Sequence, residues 1–185
     1  MNSYPIIDTS ECRIAIIGNA GGGKTTLSLK LGKDLSIPVF HIDNLKWDKS
    51  WKKKPEAMFK KVHNQLMRLD SWIIDGVGSE TELYKRLHKA NIIIFIDFPV
   101  KEHLRLIKER ENTPTETAPH GCSYEGMFGT VEKIIRQLSA TIIPQLRIDI
   151  HKIAKTTGAI VYNINQIKDI ANLIGQLKAS KYAHC

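Results

Sequence analysis

The chain has 185 residues, 42% hydrophobic and 25% charged, which suits one sizeable core and leaves little room for a second domain. Its net charge of +8 fits a small polyphosphate substrate or a nucleic acid, but no recognised nucleic-acid-binding module accompanies the charge. The longest apolar run falls far short of the roughly 20 residues that cross a bilayer, MNSYPIIDTSEC lacks the pattern of a signal peptide, and Cys12, Cys122 and Cys185 form neither a disulfide framework nor a CxxC zinc pattern. A cytoplasmic protein without a membrane partner, monomeric or homodimeric, is the expectation.

The first predicted strand, Arg13–Gly18, runs directly into GNAGGGKTT. Gly18 to Thr25 satisfies G-x-x-x-x-G-K-[ST], and Leu27, Leu31 and Leu35 behind it mark one face of a helix. Strand, glycine loop and helix in this order predict a phosphate cradle built from the backbone of Gly18, Asn19, Ala20, Gly21, Gly22 and Gly23, with Thr26 at the helix start. Lys24 would reach the β- and γ-phosphates of ATP, and the Thr25 hydroxyl would be a Mg²⁺ ligand.

Further short apolar runs are expected as strands at 38–42, Trp72–Asp75, 92–98 and 159–164. Helical spacing relates Phe59, Val62, Leu66 and Leu69, then Val131, Ile134, Ile135 and Leu138, then Ile167, Ile170, Ala171, Ile174 and Leu177. Pro144 should break the longest helical stretch near Ile143. This alternation predicts an α/β fold with a mainly parallel sheet and helices on both faces. The segment 112–126, rich in threonine with two prolines and two glycines, reads as a loop long enough to be a functional lid.

Ligands of such sheets bind beyond the carboxyl ends of the strands, and three strands here end in aspartate. Asp75 is the expected carboxylate for Mg²⁺ or its water shell, with Gly76 allowing close backbone approach. Asp43, near His41 and Trp47, is placed to orient the acceptor or act as general base. Asp97 is expected to be a structural acid. Arg105 and Arg110 before the loop, and Arg136 after it, are the candidate cations for a transferring phosphoryl group.

Together the P-loop, IPVFHIDNLKW followed by WKKKP, the strand WIIDG, RLHKANIIIFIDFP and the loop residues HGC resemble FlaR-type DNA topology modulation proteins. Those proteins lie in the adenylate-kinase-like group of P-loop kinases. The resemblance implies a three-layer fold with a five-stranded parallel sheet of order 2-3-1-4-5. It also implies one kinase-like domain over 1–185, an acceptor-binding insertion at about 44–70 and a lid at about 111–130. Adenylate kinases continue after the Asp-Gly of the magnesium strand with an aromatic, a proline and an arginine for the acceptor phosphate. Here Val77-Gly78-Ser79 stands instead and the next arginine is Arg86, the candidate acceptor contact beside His41, Asp43, Trp47 and Gly76. The reading is therefore an ATP- and Mg²⁺-dependent phosphotransferase for a nucleotide or another small acceptor. The alternative is a nucleotide-binding regulatory ATPase associated with DNA topology or nucleic acid.

Overall fold

The computed structural model of the chain describes residues 11–110 and 118–182, so 111–117 of the expected lid lie outside the described residues. The first half comprises β1 (Arg13–Gly18), α1 (Lys24–Leu35), β2 (Val39–His41), α2 (Ile42–Lys46), β3 (Trp47–Asp48), β4 (Lys52–Lys53) and α3 (Glu56–Leu66). The second comprises β5 (Trp72–Asp75), α4 (Glu80–Lys89), β6 (Ile92–Ile96), α5 (Val100–Arg110), α6 (Phe128–Thr141), α7 (Ile143–Thr157), β7 (Ile160–Ile164) and α8 (Ile167–Tyr182).

Five strands form one parallel sheet, β2-β5-β1-β6-β7, which is the expected 2-3-1-4-5 once the short β3 and β4 are set aside. Successive side chains of a strand face opposite sides, so β1 and β6 divide their apolar residues between two cores. Ile14, Ile16, Ile94 and Ile96 pack with Leu27, Leu31, Leu173 and Leu177 of α1 and α8. Ala15, Ile17, Ile93 and Phe95 pack with Phe59, Leu83, Leu87, Leu146 and Ile150 of α3, α4 and α7. Both faces are covered, which is why these strands read as unbroken apolar runs.

Several boundaries differ from the periodic reading. β2 stops at His41 and Ile42 opens α2. Leu69 lies beyond the end of α3 and is 41% exposed. On α8 the most deeply buried positions are Leu173 and Leu177, whereas Ile167 is exposed. Pro144 does divide the helices: α6 ends at Thr141, and the proline sits in the first turn of α7, where no backbone N–H is needed.

Within the expected acceptor insertion, β3 and β4 pair antiparallel around a turn at Lys49–Trp51, with Ser50 and Trp51 at φ 56° and 58°. This hairpin is fastened to the described part of the lid. Ser50 N donates to Gly121 O at 3.0 Å, Trp51 Nε1 donates to Ser123 O at 2.8 Å, and the Trp51 and Tyr124 rings lie 5.1 Å apart.

Candidate active site

Register brings the chemistry together. Ile16 pairs with Asp75, His41 with Asp75, and Gly18 with Ile96, so the carboxyl ends of β1, β2, β5 and β6 meet at one edge of the sheet. The P-loop leaves β1 at that edge and enters α1.

Gly23 occupies the N-cap of α1 at φ 78° and no side chain caps the helix. Nothing lies within 4 Å of where its Cβ would stand, so glycine is required by the left-handed backbone and not by crowding. The first-turn N–H groups of α1 are left for an anion, as a phosphate cradle needs. Beside Gly21, Gly22 and Thr26 opens a cavity of ≈ 290 Å³. Its far walls are Phe98, Leu106, Arg110 and the α8 isoleucines 167, 170 and 174.

Asn19 turns away from this cavity. It is 2% exposed and donates through Nδ2 to Ile135 O at 2.9 Å and Ser139 Oγ at 2.8 Å, while its Oδ1 accepts from Ala20 N at 2.8 Å. The side chain therefore ties the P-loop to α6, the helix that follows the expected lid. Sequence spacing places Asn19 in the loop but carries no signal for that bond across more than a hundred residues.

Lys24 curls over the loop, its Nζ donating to Asn19 O at 2.7 Å. Burial lowers its pKa, countered by Asp43 and Asp75 and reinforced by Arg110, so all three charges act on the lysine. Asp75 is 4% exposed. Its Oδ2 accepts from Ser28 Oγ and lies 2.6 Å from His41 Nδ1. The His41 pKa is raised, first by this hydrogen bond. Ser28, one helical turn beyond Thr25, thus holds Asp75 beside the start of α1, and its Oγ is 2.9 Å from Thr25 O. A hydroxyl and a carboxylate next to an open phosphate cradle are the oxygen donors that Mg²⁺ takes, so Thr25 and Asp75 fit that metal.

Asp43 opens to solvent at the mouth of the cleft, yet the protein packed around its carboxylate raises its pKa by desolvation. Asp75 adds to the rise, while Lys24, Lys46 and His41 oppose it.

The arginines divide. Arg110 lines the cavity with the P-loop glycines. Arg136 is exposed and pairs with Glu132 at 2.8 Å, and Arg105 pairs with Glu102 and Glu109 on its own helix. Asp97 is the structural acid expected, held by Arg147 at 2.6 Å and 2.9 Å. Arg86 is 0% exposed and donates to Gly76 O and, at 3.2 Å, to Val77 O. Placed beneath the Gly76 loop, it does not reach the cleft as an acceptor ligand. Trp47 packs edge-on against Trp51 at 6.1 Å within the hairpin.

Two buried histidines make the fold acid-sensitive. His63 and His103 have pKa values pushed down to about 4, by burial first and then by Arg86 and Lys24 respectively. The unfolded chain protonates these groups near 6.5 and the folded chain near 4, so stability falls as pH drops through that window and levels off below it. Thermal melts should show a lower Tm at pH 4.5 than at pH 7. Replacing both histidines by glutamine should shrink the difference; an unchanged difference would remove them as its cause.

A P-loop at the carboxyl edge of a five-stranded parallel sheet, with Arg110 across the cavity from its glycines and a strand-end aspartate acting on Lys24, is an arrangement found in small P-loop kinases. One relative, the shikimate kinase of Aquifex aeolicus (strain VF5), is 26% identical over 121 residues, 58% of this chain and 72% of its own length. Shikimate kinase from Acinetobacter baumannii, solved with shikimate, matches with a TM-score of 0.60 at 19% identity, over 95% of this chain and 97% of that one. A gluconokinase from Sinorhizobium meliloti 1021 matches with a TM-score of 0.52 at 10% identity, over 94% and 93%. No protein-family model matches the chain. The comparisons carry the fold of small P-loop kinases and lend no support to the FlaR-type reading. Among the described residues no helix is long and apolar enough to cross a membrane.

Proposed function

We propose that the chain transfers the γ-phosphoryl group of ATP to a hydroxyl of a small acceptor. The observation that carries this reading is the gathering of the P-loop, with Lys24 Nζ donating to Asn19 O at 2.7 Å, and Asp75 at the carboxyl edge of the sheet, with Asp43 and Arg110 within electrostatic reach of Lys24. The P-loop amides and Lys24 hold the β- and γ-phosphates, while the base and ribose take the slot between Leu106, Arg110 and the α8 isoleucines. Thr25 and Asp75 would hold Mg²⁺, which would supply positive charge against the phosphates. Asp43 takes the proton of the acceptor hydroxyl, that oxygen forms the bond to the γ-phosphorus, and the bond to the β,γ-bridging oxygen breaks to release ADP. Lys24 and Arg110 stabilise the charge on the transferring group.

The names of the relatives point to hydroxylated ring and chain acids as the first acceptors to try. Steady-state ADP formation at fixed MgATP, across sugars, polyols, nucleosides, shikimate, gluconate and nucleoside monophosphates, tests the reading. An acceptor-dependent rate is expected, reduced at least about a hundredfold by Lys24→Ala, in line with loss of one preorganised charge contact. The alternative from the FlaR-type resemblance is a nucleotide-binding regulator. No acceptor effect, together with salt-sensitive DNA binding, would favour it.

A further inference from the structure

Packing sets the phosphate loop at three of its glycines. A Cβ on Gly18 would run into Ile96 O, and one on Gly21 into the Ile107 side chain. A Cβ on Gly22 would stand 3.1 Å from His103 Cε1. β6 and α5 therefore back the loop closely at these positions. The peptide that joins Asn19 to Ala20 is held in another way, by a side chain.

The Asn19 amide has two N–H donors and both are used. Nδ2 donates to Ile135 O at 2.9 Å and to Ser139 Oγ at 2.8 Å, both on α6. Oδ1 accepts from Ala20 N at 2.8 Å. A carbonyl oxygen only accepts and a backbone N–H only donates, so these partners leave the amide one orientation. With Asn19 2% exposed, water has little access to loosen it.

Ala20 N–H and Asn19 C=O belong to the same peptide unit. In a planar trans peptide, as this one is, they point in opposite directions. Holding the N–H against the Asn19 side chain therefore turns the carbonyl to the other side. There it accepts from Lys24 Nζ at 2.7 Å. Asp43, Asp75 and Arg110 act on the same ammonium through charge, which attracts or repels without a set direction. The hydrogen bond gives the ammonium its place. One connected chain thus runs from α6 through the Asn19 amide and a single peptide plane to Lys24.

Resting on the reading of Lys24 as the phosphate ligand of a phosphotransferase, we propose that Asn19 is a positioning residue. Anchored on α6, it orients the peptide that holds Lys24 ready for the β- and γ-phosphates. A lysine stem has many rotamers, so fixing where it starts leaves less to be ordered when the nucleotide binds.

A double-mutant cycle with Lys24→Ala tests the inference. It is read by the Kd of the magnesium complex of the β,γ-imido analogue of ATP, and by kcat with an acceptor that is turned over. Asn19→Ala should weaken the Kd at least about fivefold and lower kcat at least about tenfold, within the range that misplacing a reacting group costs, while the acceptor KM stays unchanged. Ser139→Ala removes one of the amide's two acceptors. It should move both quantities the same way by at least about twofold, and it carries the cycle if Asn19→Ala does not fold. In the Lys24→Ala background neither change should add a measurable loss, because the group through which it acts is gone. A residue that only holds the loop together would show its loss again there. Such additive losses, or wild-type values in either single variant, overturn the inference. If no acceptor is turned over, the phosphotransferase reading fails separately and the cycle in Kd decides this one. If Lys24→Ala leaves the Kd unchanged, Lys24 is no phosphate ligand and the inference falls with that role.

Discussion

Asp43→Asn is expected to lower kcat by about 10²- to 10⁴-fold, the range typical of a lost general base, while ATP binding changes little. Asparagine keeps the shape of the side chain and its acceptor oxygen but cannot take a proton. Lys24, Lys46 and His41 act to lower the pKa of the solvent-open Asp43, yet desolvation by the surrounding protein and the charge of Asp75 leave it above the ordinary 3.8. The sign of the pH effect follows. A base works deprotonated, so kcat/KM should fall as pH drops through that raised pKa, and the acid limb should lie above pH 3.8. The Asn variant should lose this limb along with its rate. A variant with normal kcat would return Asp43 to the cleft mouth as a bystander, and phosphoryl transfer would then rest on positioning and charge alone.

How much of this was legible varied with the range of the interaction. The P-loop could be read because its meaning lies in contiguous residues: a strand, a glycine run, Lys24 and Thr25, then a helix. Asp75 could be read because an aspartate ending a buried strand needs a partner. That its partners are Ser28 and His41 depends on the register of β5 with β2 and on the helical face of α1. Ser28 carries a local signal, one turn beyond Thr25 on the same side of α1. Arg105 and Arg136 are paired with glutamates on their own helices, which an equally local signal announces. Glu102 and Glu109 lie three and four residues from Arg105, and Glu132 lies four from Arg136, spacings that pair side chains on a helix surface. The bonds from Asn19 to α6 and from Trp51 to Ser123 join distant segments, and no periodicity announces them. The hairpin of β3 and β4 has only two residues per strand, too few for alternation to show.

Arg86 is the most informative misplacement, and its replacement should have the largest effect on stability. On α4 the buried positions are Glu82, Leu83, Arg86 and Leu87, one continuous stripe at helical spacing, so the arginine belongs to the core face of its helix. Burial lowers its pKa to about 10, still far above neutrality, so it enters the core charged. There it donates to the carbonyls of Gly76 and Val77 and lies 3.4 Å from His63 Nε2. Gly76 has φ 105°, and a Cβ there would come within 2.9 Å of Ile42 Cβ, so this loop has little room to find other donors. Arg86→Met keeps much of the apolar volume but leaves two carbonyls without their donor. Each such group costs about 1–3 kcal/mol, and breaking a buried charged network costs about 3–5 kcal/mol in all. Urea unfolding should show a loss of that size. Arg86→Lys should recover only part of it, because an ammonium cannot reproduce the planar group that reaches both carbonyls through Nη2 and His63 Nε2 through Nη1. Because Gly76 follows Asp75 directly, a loosened loop should also raise the acceptor KM in the Lys variant at temperatures where it remains folded. Full stability in Arg86→Met would show that the two carbonyls find water or another donor, and that the buried charge is dispensable to the floor of the site.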